Sequence, residues 1–217
     1  KFSLSEQTLI QIRDTRRQFL HLLKDIGFLG SGGSKRGGGR DQDIEMKFNT
    51  NSNSPAVVAA VCFAGLYPNV LQIDKPQGNS PAISLRGEKE HSVALHPTSI
   101  LRQRQDLKPG QLITYHHKLQ TTRTFVMDAT LVHPNAVLLF GGKLAVDHVG
   151  GMVTMDSWLT LPVPARTAVM LKELRGELER LLRKKAQRPQ TDIVVEGGNL
   201  VKAVTQLMKD EGSTKGL

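Results

Sequence analysis

Two polar segments contain the residues whose types and spacing could do chemistry. In the first segment Pro97 lacks a backbone N–H donor, so it should end a strand. The hydroxyls of Thr98 and Ser99, which follow it, should then lie at the edge of the predicted β-structure. The second segment ends in a Thr-Thr-Arg corner. The candidate binding residues are His96, Thr98, Ser99, Lys118, Thr121, Thr122 and Arg123. Hydroxyls and cationic donors at strand ends suit a phosphate backbone, so these residues predict a site for a polyanion.

The charge of the chain supports the same chemistry. The 217 residues include 29 Lys and Arg against 20 Asp and Glu, a formal net charge of +9. The stretch from His91 to Arg123 contains five basic residues and a single acidic one, Asp106. Such an excess favours nucleic acid as the partner.

Catalytic chemistry finds no support in the sequence. His116 and His117 are neighbours on a predicted strand, so they should point to opposite faces and could not bind one metal ion together. Asp128 and Asp156 lie in predicted core strands without an acid or base partner, and Ser99 lacks the glycines of a nucleophile elbow. No phosphate-binding glycine loop occurs. We therefore predict no catalytic, cofactor-binding or metal-binding residue.

Hydrophobic periodicity divides the chain into helical ends and a β-rich middle. A helix is expected from Ser3 to Ile26, with Ser3 and Glu6 as a capping box and Gly27 as the stop, and a second long helix from Pro164 to Lys185. Short strands between Val70 and Leu161, among them Leu112 to Lys118 and Phe125 to Val132, predict a five-stranded β-barrel. His133-Pro134 is expected to open a helical turn, and a final hairpin with Gly150-Gly151 in its turn should pair Leu144–Val146 with Met152–Met155. The predicted segments are a linking helix (1–29), a flexible Gly-rich basic loop (30–54), the barrel with a leading helix (55–163) and C-terminal helices (164–217). The fold class is α+β.

Strand alternation makes predictions about individual side chains. It places Ile113, Tyr115 and His117 on one face and Thr114, His116 and Lys118 on the other, so that one face is buried and the other is wet. Tyr67 should fill a turn, although it could stack on a base. Cys62 should be a small buried residue of a largely buried helix that begins at Pro55.

Several short motifs resemble one family. They are Ala64-Gly65-Leu66-Tyr67-Pro68-Asn69-Val70, His96-Pro97-Thr98-Ser99, Thr121-Thr122-Arg123, Leu138-Leu139-Phe140-Gly141-Gly142, Asp156-Ser157-Trp158 and Leu171-Lys172-Glu173-Leu174-Arg175. Their order resembles the C-terminal oligonucleotide-binding (OB-fold) region of DEAH/RHA-type (DExH-box) ATP-dependent RNA helicases. The resemblance implies an OB-fold-like β-barrel flanked by N- and C-terminal helices.

The resemblance also implies a role. In this family the region follows two RecA-like motor domains and a helical region, and it helps to close a tunnel that holds single-stranded RNA. ATP and Mg would belong to the implied parent protein and not to this segment, which we expect to be a fragment without enzyme activity. Implied partners are single-stranded RNA or structured nucleic acid, the motor and helical domains in cis, and a protein activator. No membrane partner and a cytoplasmic or, alternatively, nuclear location are expected.

Two functions remain open at this point. The first is an RNA-binding module, and the alternative is a protein-interaction module that docks the helicase core or an activating cofactor. The chain departs from the family pattern at His117, where many relatives have Glu, and in the glycine content of its loop. Both departures affect the expected substrate preference more than the assignment to this class of proteins.

Overall fold

The computed structural model describes residues 5–29, 46–75, 83–89 and 92–210. The helices are α1 (Glu6–Asp25), α2 (Pro55–Leu66), α3 (Pro134–Phe140), α4 (Ala165–Gln187) and α5 (Ile193–Asp210), and a short 3₁₀ helix spans Ile100–Gln103. The strands are β1 (Val70–Ile73), β2 (Leu85–Arg86), β3 (Val93–Leu95), β4 (Leu112–Thr114), β5 (His117–Gln120), β6 (Thr124–Met127), β7 (Thr130–Val132), β8 (Leu144–Asp147), β9 (Met152–Met155) and β10 (Leu159–Pro162).

The chain divides into two compact units. One comprises Lys1–Thr50 with Glu177–Val201, and the other comprises Asn51–Gly176 with Lys202–Leu217. Most of the predicted Gly-rich loop, residues 30–45, lies outside the described residues. Among the helices that the structure describes, none is long and apolar enough to cross a membrane.

In the first unit, α1 begins two residues later than predicted. Its N-cap is Ser5, whose side chain accepts a hydrogen bond from the Thr8 N–H, while Ser3 lies outside the described residues. The predicted stop at Gly27 is confirmed, because this glycine has φ +78° and its N–H donates to the Lys24 carbonyl at 2.9 Å. A left-handed residue at this position closes a helix without steric cost only when it is glycine.

The second unit contains two sheets instead of one five-stranded barrel. The larger sheet has the strand order β5-β6-β3-β2-β1-β4-β7, and β8, β9 and β10 form a separate antiparallel sheet. All pairs are antiparallel except β3 with β6, which run parallel. The count of five strands is not confirmed. The larger sheet is an open sheet of seven strands, not a closed barrel. The architecture is α+β, as the sequence predicted.

Two of the expected strands, at 112–118 and 125–132, are each interrupted, and the two interruptions lie opposite each other. Leu112 pairs with Val132 in β4 and β7, and His117 pairs with Met127 in β5 and β6. Both pairings belong to one continuous register, so β4-β5 and β6-β7 are the arms of a single hairpin. The ladder stops at 115–116 on one arm and at 128–129 on the other, where Asp128 has φ +51°. This break accounts for two of the additional strands.

The larger sheet is buried on both faces over part of its area. On one face, side chains of the sheet's own strands, including Leu71, Leu95 and Val126, form a buried core cluster, while α2 covers the other face by packing against β4, β7 and α3. Thr114 is consequently fully buried and its hydroxyl donates to the Asn69 carbonyl. The prediction that Thr114 lies on a wet face was wrong, because the sequence pattern did not reveal this second layer.

Helix α2 is less buried than its composition predicted. Ala60 and Phe63 are buried against the sheet, but Val58 and Val61 are exposed and so is Cys62. A helix that is apolar on all sides has no pattern that tells which side will pack. The prediction of a buried Cys62 was therefore wrong.

Short helix α3 and the final hairpin agree with the sequence. His133 caps α3 by accepting from the Asn135 N–H, and Arg175 of α4 donates to the Gly141 carbonyl at 2.6 Å. A guanidinium at this position satisfies a carbonyl that the helix end leaves without an internal partner. Strands β8 and β9 pair as predicted, with Leu144 opposite Met155.

Candidate nucleic-acid interface

The first group of candidate residues lies at the end of β3. His96 follows the strand, its N–H donates to the Val126 carbonyl, and its ring packs edge-on against Phe125. The His96 Nδ1 lies 2.7 Å from the Thr98 Oγ1, which fixes the turn. Thr98 is exposed, whereas Ser99 is only 7% exposed and begins the 3₁₀ helix. The structure thus presents Thr98 to solvent, leaves His96 half-buried and covers most of Ser99.

The second group lies along β5 and at the corner before β6. Thr121 and Arg123 close the corner, because the Thr121 N–H and hydroxyl both donate to the Arg123 carbonyl. Thr121, Thr122 and Arg123 are all exposed. No ion pair joins Arg123 to Asp128 in the described part of the chain, so the corner leaves the guanidinium at the surface.

Strand β6 lies between the two groups and fixes their spacing. Val126 pairs with Leu95 of β3 on one side and with Lys118 of β5 on the other. Neighbouring strands lie about 4.8 Å apart, so the distance between Lys118 and the end of β3, at Leu95, is roughly 10 Å. Because β3 and β6 run parallel, the corner at Thr121 lies toward the start of β3 and away from His96. The candidate residues therefore extend along β6.

The face of Lys118 differs from the prediction. Residues directly opposite each other in an antiparallel pair share a face, and Lys118 is opposite Val126, which is fully buried in the core cluster. Tyr115 belongs to the same cluster. Strict alternation from Tyr115 would place His117 on that face, so the break at 115–116 has shifted the phase by one residue. The sequence pattern could not show this break.

His116 and His117 are also arranged differently from the prediction. Their ring centroids are 3.9 Å apart, and the ligand atoms of both rings and of Asp128 lie within 4.8 Å of one another. The expectation that the two imidazoles point to opposite faces was wrong, because regular strand geometry holds only from His117 onward.

Other basic residues near the interface have local partners. Arg104 forms two hydrogen bonds with Asp106, and this contact lowers the pKa of the Asp106 carboxyl below its ordinary value. Arg102 donates to the Leu95 carbonyl at 3.4 Å. The local excess of positive charge is thus partly neutralised before any ligand binds.

A second feature, which the sequence did not reveal, joins Tyr67 to Asp156. The Tyr67 hydroxyl donates to the Asp156 carboxylate, and the Lys143 N–H donates to the same carboxylate at 2.8 Å. Asp156 lies in the turn between β9 and β10 with φ +47°, not in a strand. It therefore has a partner, contrary to the prediction, while Tyr67 does occupy a turn as expected.

Tyr67 and Asp156 line a cavity of about 670 Å³ together with Tyr115, Lys143 and Trp158. Burial of the phenol, the hydrogen bond to Asp156 and the negative charge of that carboxylate raise the pKa of Tyr67 well above its ordinary value. A Cβ at Gly142 would collide with both side chains, so only glycine fits there. The tyrosine and the aspartate are 89 residues apart, and no local sequence pattern predicts such a contact.

Comparison with known proteins assigns this arrangement to a class. A model of the oligonucleotide/oligosaccharide-binding (OB)-fold matches residues 58–144, and a model of the C-terminal domain in RNA helicases matches residues 151–210. The chain belongs to the DExH-box RNA helicase family, of which it carries the OB-fold and the C-terminal domain. The resemblance seen in the sequence motifs is confirmed.

Individual relatives agree with this assignment. The DExH-box ATP-dependent RNA helicase DExH1 of Arabidopsis thaliana is 34% identical over 96% of this chain, and the match covers 20% of that relative. The ATP-dependent DNA/RNA helicase DHX36 of Homo sapiens is 32% identical over 87% of this chain and 18% of the relative. The human ATP-dependent RNA helicase DHX29 is 29% identical over 97% of this chain and 15% of its own length. The chain spans a fifth or less of the length of each.

Proposed function

We propose that this chain is a single-stranded RNA-binding accessory module of an ATP-dependent DExH-box helicase. In this proposal it holds the RNA backbone while motor domains, which the chain does not contain, translocate and unwind. ATP hydrolysis and the Mg ion that it requires belong to those motor domains. The observation that carries the proposal is the row of polar residues along β6, from the half-buried His96 and the exposed Thr98 to the exposed Lys118 and Thr121–Arg123 corner.

The chemistry of this row fits a phosphate backbone. Lys118 and Arg123 supply cationic donors, and Thr98, Thr121 and Thr122 supply hydroxyls. Contacts of this kind position a nucleic acid without reading its sequence. Ser99 contributes to the site through the turn that presents Thr98, in which the Ser99 N–H donates to the His96 carbonyl, since its own side chain is mostly covered.

Fluorescence anisotropy with a labelled single-stranded RNA at several salt concentrations tests the proposal. Lys118→Ala and Arg123→Ala should each weaken binding to all sequences and reduce the salt slope by about 1 per lost phosphate contact. Lys172→Ala and Lys209→Ala are matched controls, because both remove an exposed positive charge from a helix remote in sequence from the row. If the control variants lost affinity and the Lys118, Arg123 double variant did not, the RNA would bind elsewhere.

Lys184 and Lys185 should not contribute directly to this binding. Lys184 pairs with Glu196, while Lys185 is 9% exposed and its Nζ donates to the Pro189 and Thr191 carbonyls. These contacts stabilise the first unit, so replacing Lys185 would test folding and not RNA binding.

The alternative function is a protein-interaction module, and α1 favours it. No residue of α1 is buried, and its apolar side chains Leu9, Ile12, Phe19, Leu23 and Ile26 are exposed. In this second proposal the helix docks the helicase core or an activating cofactor. The same salt series distinguishes the two functions, because apolar docking responds little to salt while phosphate binding falls steeply with it.

A further inference from the structure

The break in the hairpin brings together three potential metal ligands. The register that pairs His117 with Met127 places His116 at the level of Asp128, and φ +51° turns the Asp128 backbone out of the regular strand. Two imidazoles and one carboxylate thereby come within 4.8 Å of one another through their ligand atoms. All three residues are exposed, so an ion can reach them from solvent.

Among the residues that the structure describes, these three side chains have no competing polar partner. Within residues 5–29, 46–75, 83–89 and 92–210, His116, His117 and Asp128 form no hydrogen bond or ion pair, and the two rings pack edge-on against each other. The two imidazole centroids lie 3.9 Å apart, which places both rings beside one common ion position.

We propose that His116, His117 and Asp128 form a binding site for a divalent cation of the zinc class. Imidazole nitrogen and carboxylate oxygen are ordinary ligands of Zn²⁺, at bond lengths of about 2.0–2.2 Å. Ligand atoms around such an ion lie about 3.5 Å apart, so exposed side chains must close by roughly 1 Å through rotation. Three protein ligands leave one of four positions open to water or another oxygen.

The adjacent lysine, Lys118, is compatible with this site. Lys118 follows His117 in β5 and projects from the opposite face of the strand, toward the side of Val126. Its ammonium group is therefore directed away from the imidazole of His117. The position of the site does not depend on the proposed RNA function, because its ligands are not among the residues assigned to RNA.

Isothermal titration of the metal-free 217-residue chain with Zn²⁺, in the absence of RNA, tests the site. We expect a saturable isotherm with one ion per chain. His116→Ala, His117→Ala and Asp128→Asn should each weaken binding at least about tenfold, because even the loss of a residue that only orients a ligand costs 10- to 100-fold. Asn tolerates a left-handed backbone as Asp does, so Asp128→Asn removes the negative charge without new strain.

His148→Ala provides the matched control. This exposed histidine lies in the turn between β8 and β9 and is not part of the cluster, so its replacement should leave Zn²⁺ affinity unchanged. In NMR spectra the ring signals of His116 and His117, and not those of His148, should shift on addition of Zn²⁺. The proposal is overturned if no saturable binding occurs, or if the three ligand variants bind Zn²⁺ as the parent chain does.

Discussion

Tyr67 shows how a single side chain connects distant parts of the fold. Its hydroxyl donates to Asp156 in the β9-β10 turn, while its own position lies between α2 and β1. The ring also packs edge-on against Phe63, which is fully buried. One residue therefore joins the helix, the larger sheet and the smaller sheet of the second unit.

Removing the Tyr67 hydroxyl should destabilise the chain. A hydrogen bond to a charged group contributes about 1.5–3 kcal/mol, so Tyr67→Phe should lower the free energy of unfolding by an amount in this range at neutral pH. The measurement is urea unfolding followed by circular dichroism. Asp156→Asn keeps an acceptor for the hydroxyl and should cost less.

The same residue predicts a dependence on alkaline pH. The folded pKa of Tyr67 is raised above the unfolded value of about 10, so its contribution is complete below pH 10. Above this pH the unfolded phenol ionises while the folded one stays neutral, and that part of the stability is lost. The stability difference between the parent chain and Tyr67→Phe should thus shrink as the pH rises above about 10. A constant difference up to pH 11.5 would contradict this explanation.

At the scale of elements, α5 contains a kink with an identifiable cause. Gly197 has φ −132° and ψ 24° inside the helix, and a Cβ there would collide with the Leu181 side chain of α4. Gly198, the next residue, has open space around its Cα. The two adjacent glycines therefore have different structural roles.

These glycines provide a matched pair of substitutions. Gly197→Ala should destabilise the chain by about 1–3 kcal/mol, the usual cost of forcing extra volume into a packed contact. Gly198→Ala should be neutral or stabilise by up to about 1 kcal/mol, because alanine loses less backbone entropy in a helix. Thermal unfolding of both variants measures the difference. Equal effects of the two substitutions would show that Leu181 does not determine the kink.

The extent to which the sequence predicted these elements depends on the range of the interactions. The cap at Gly27, the start of α3 at Pro134 and the β8-β9 hairpin follow from neighbouring residues, and all were predicted correctly. The burial of Thr114 and the exposure of Cys62 depend on which layer covers which face, and here the predictions were wrong. Strand alternation also failed at His116, because a left-handed residue twelve positions later shifts the phase of both arms.

At the scale of the whole molecule, the chain should not bind nucleotide by itself. Its sequence has no Gly-x-x-x-x-Gly-Lys-Ser/Thr loop to hold phosphates. Isothermal titration of the chain with ATP and Mg²⁺ should therefore give no saturable heat. A stoichiometric binding isotherm would contradict the proposal that ATP chemistry belongs to separate motor domains.

The continuous register of the β4-β5 and β6-β7 arms has a consequence for the order of folding. The corner at Thr121–Arg123 closes a very short loop, so pairing within this hairpin costs little entropy, whereas β3 must close a much longer loop to pair with β6. We expect the hairpin to form in the transition state before β1, β2 and β3 add to it. In stopped-flow experiments Leu131→Ala should mainly slow folding, while Leu85→Ala in β2 should mainly accelerate unfolding. The break at Asp128 would then be set early, and the late strands would assemble on an arm that is already bent.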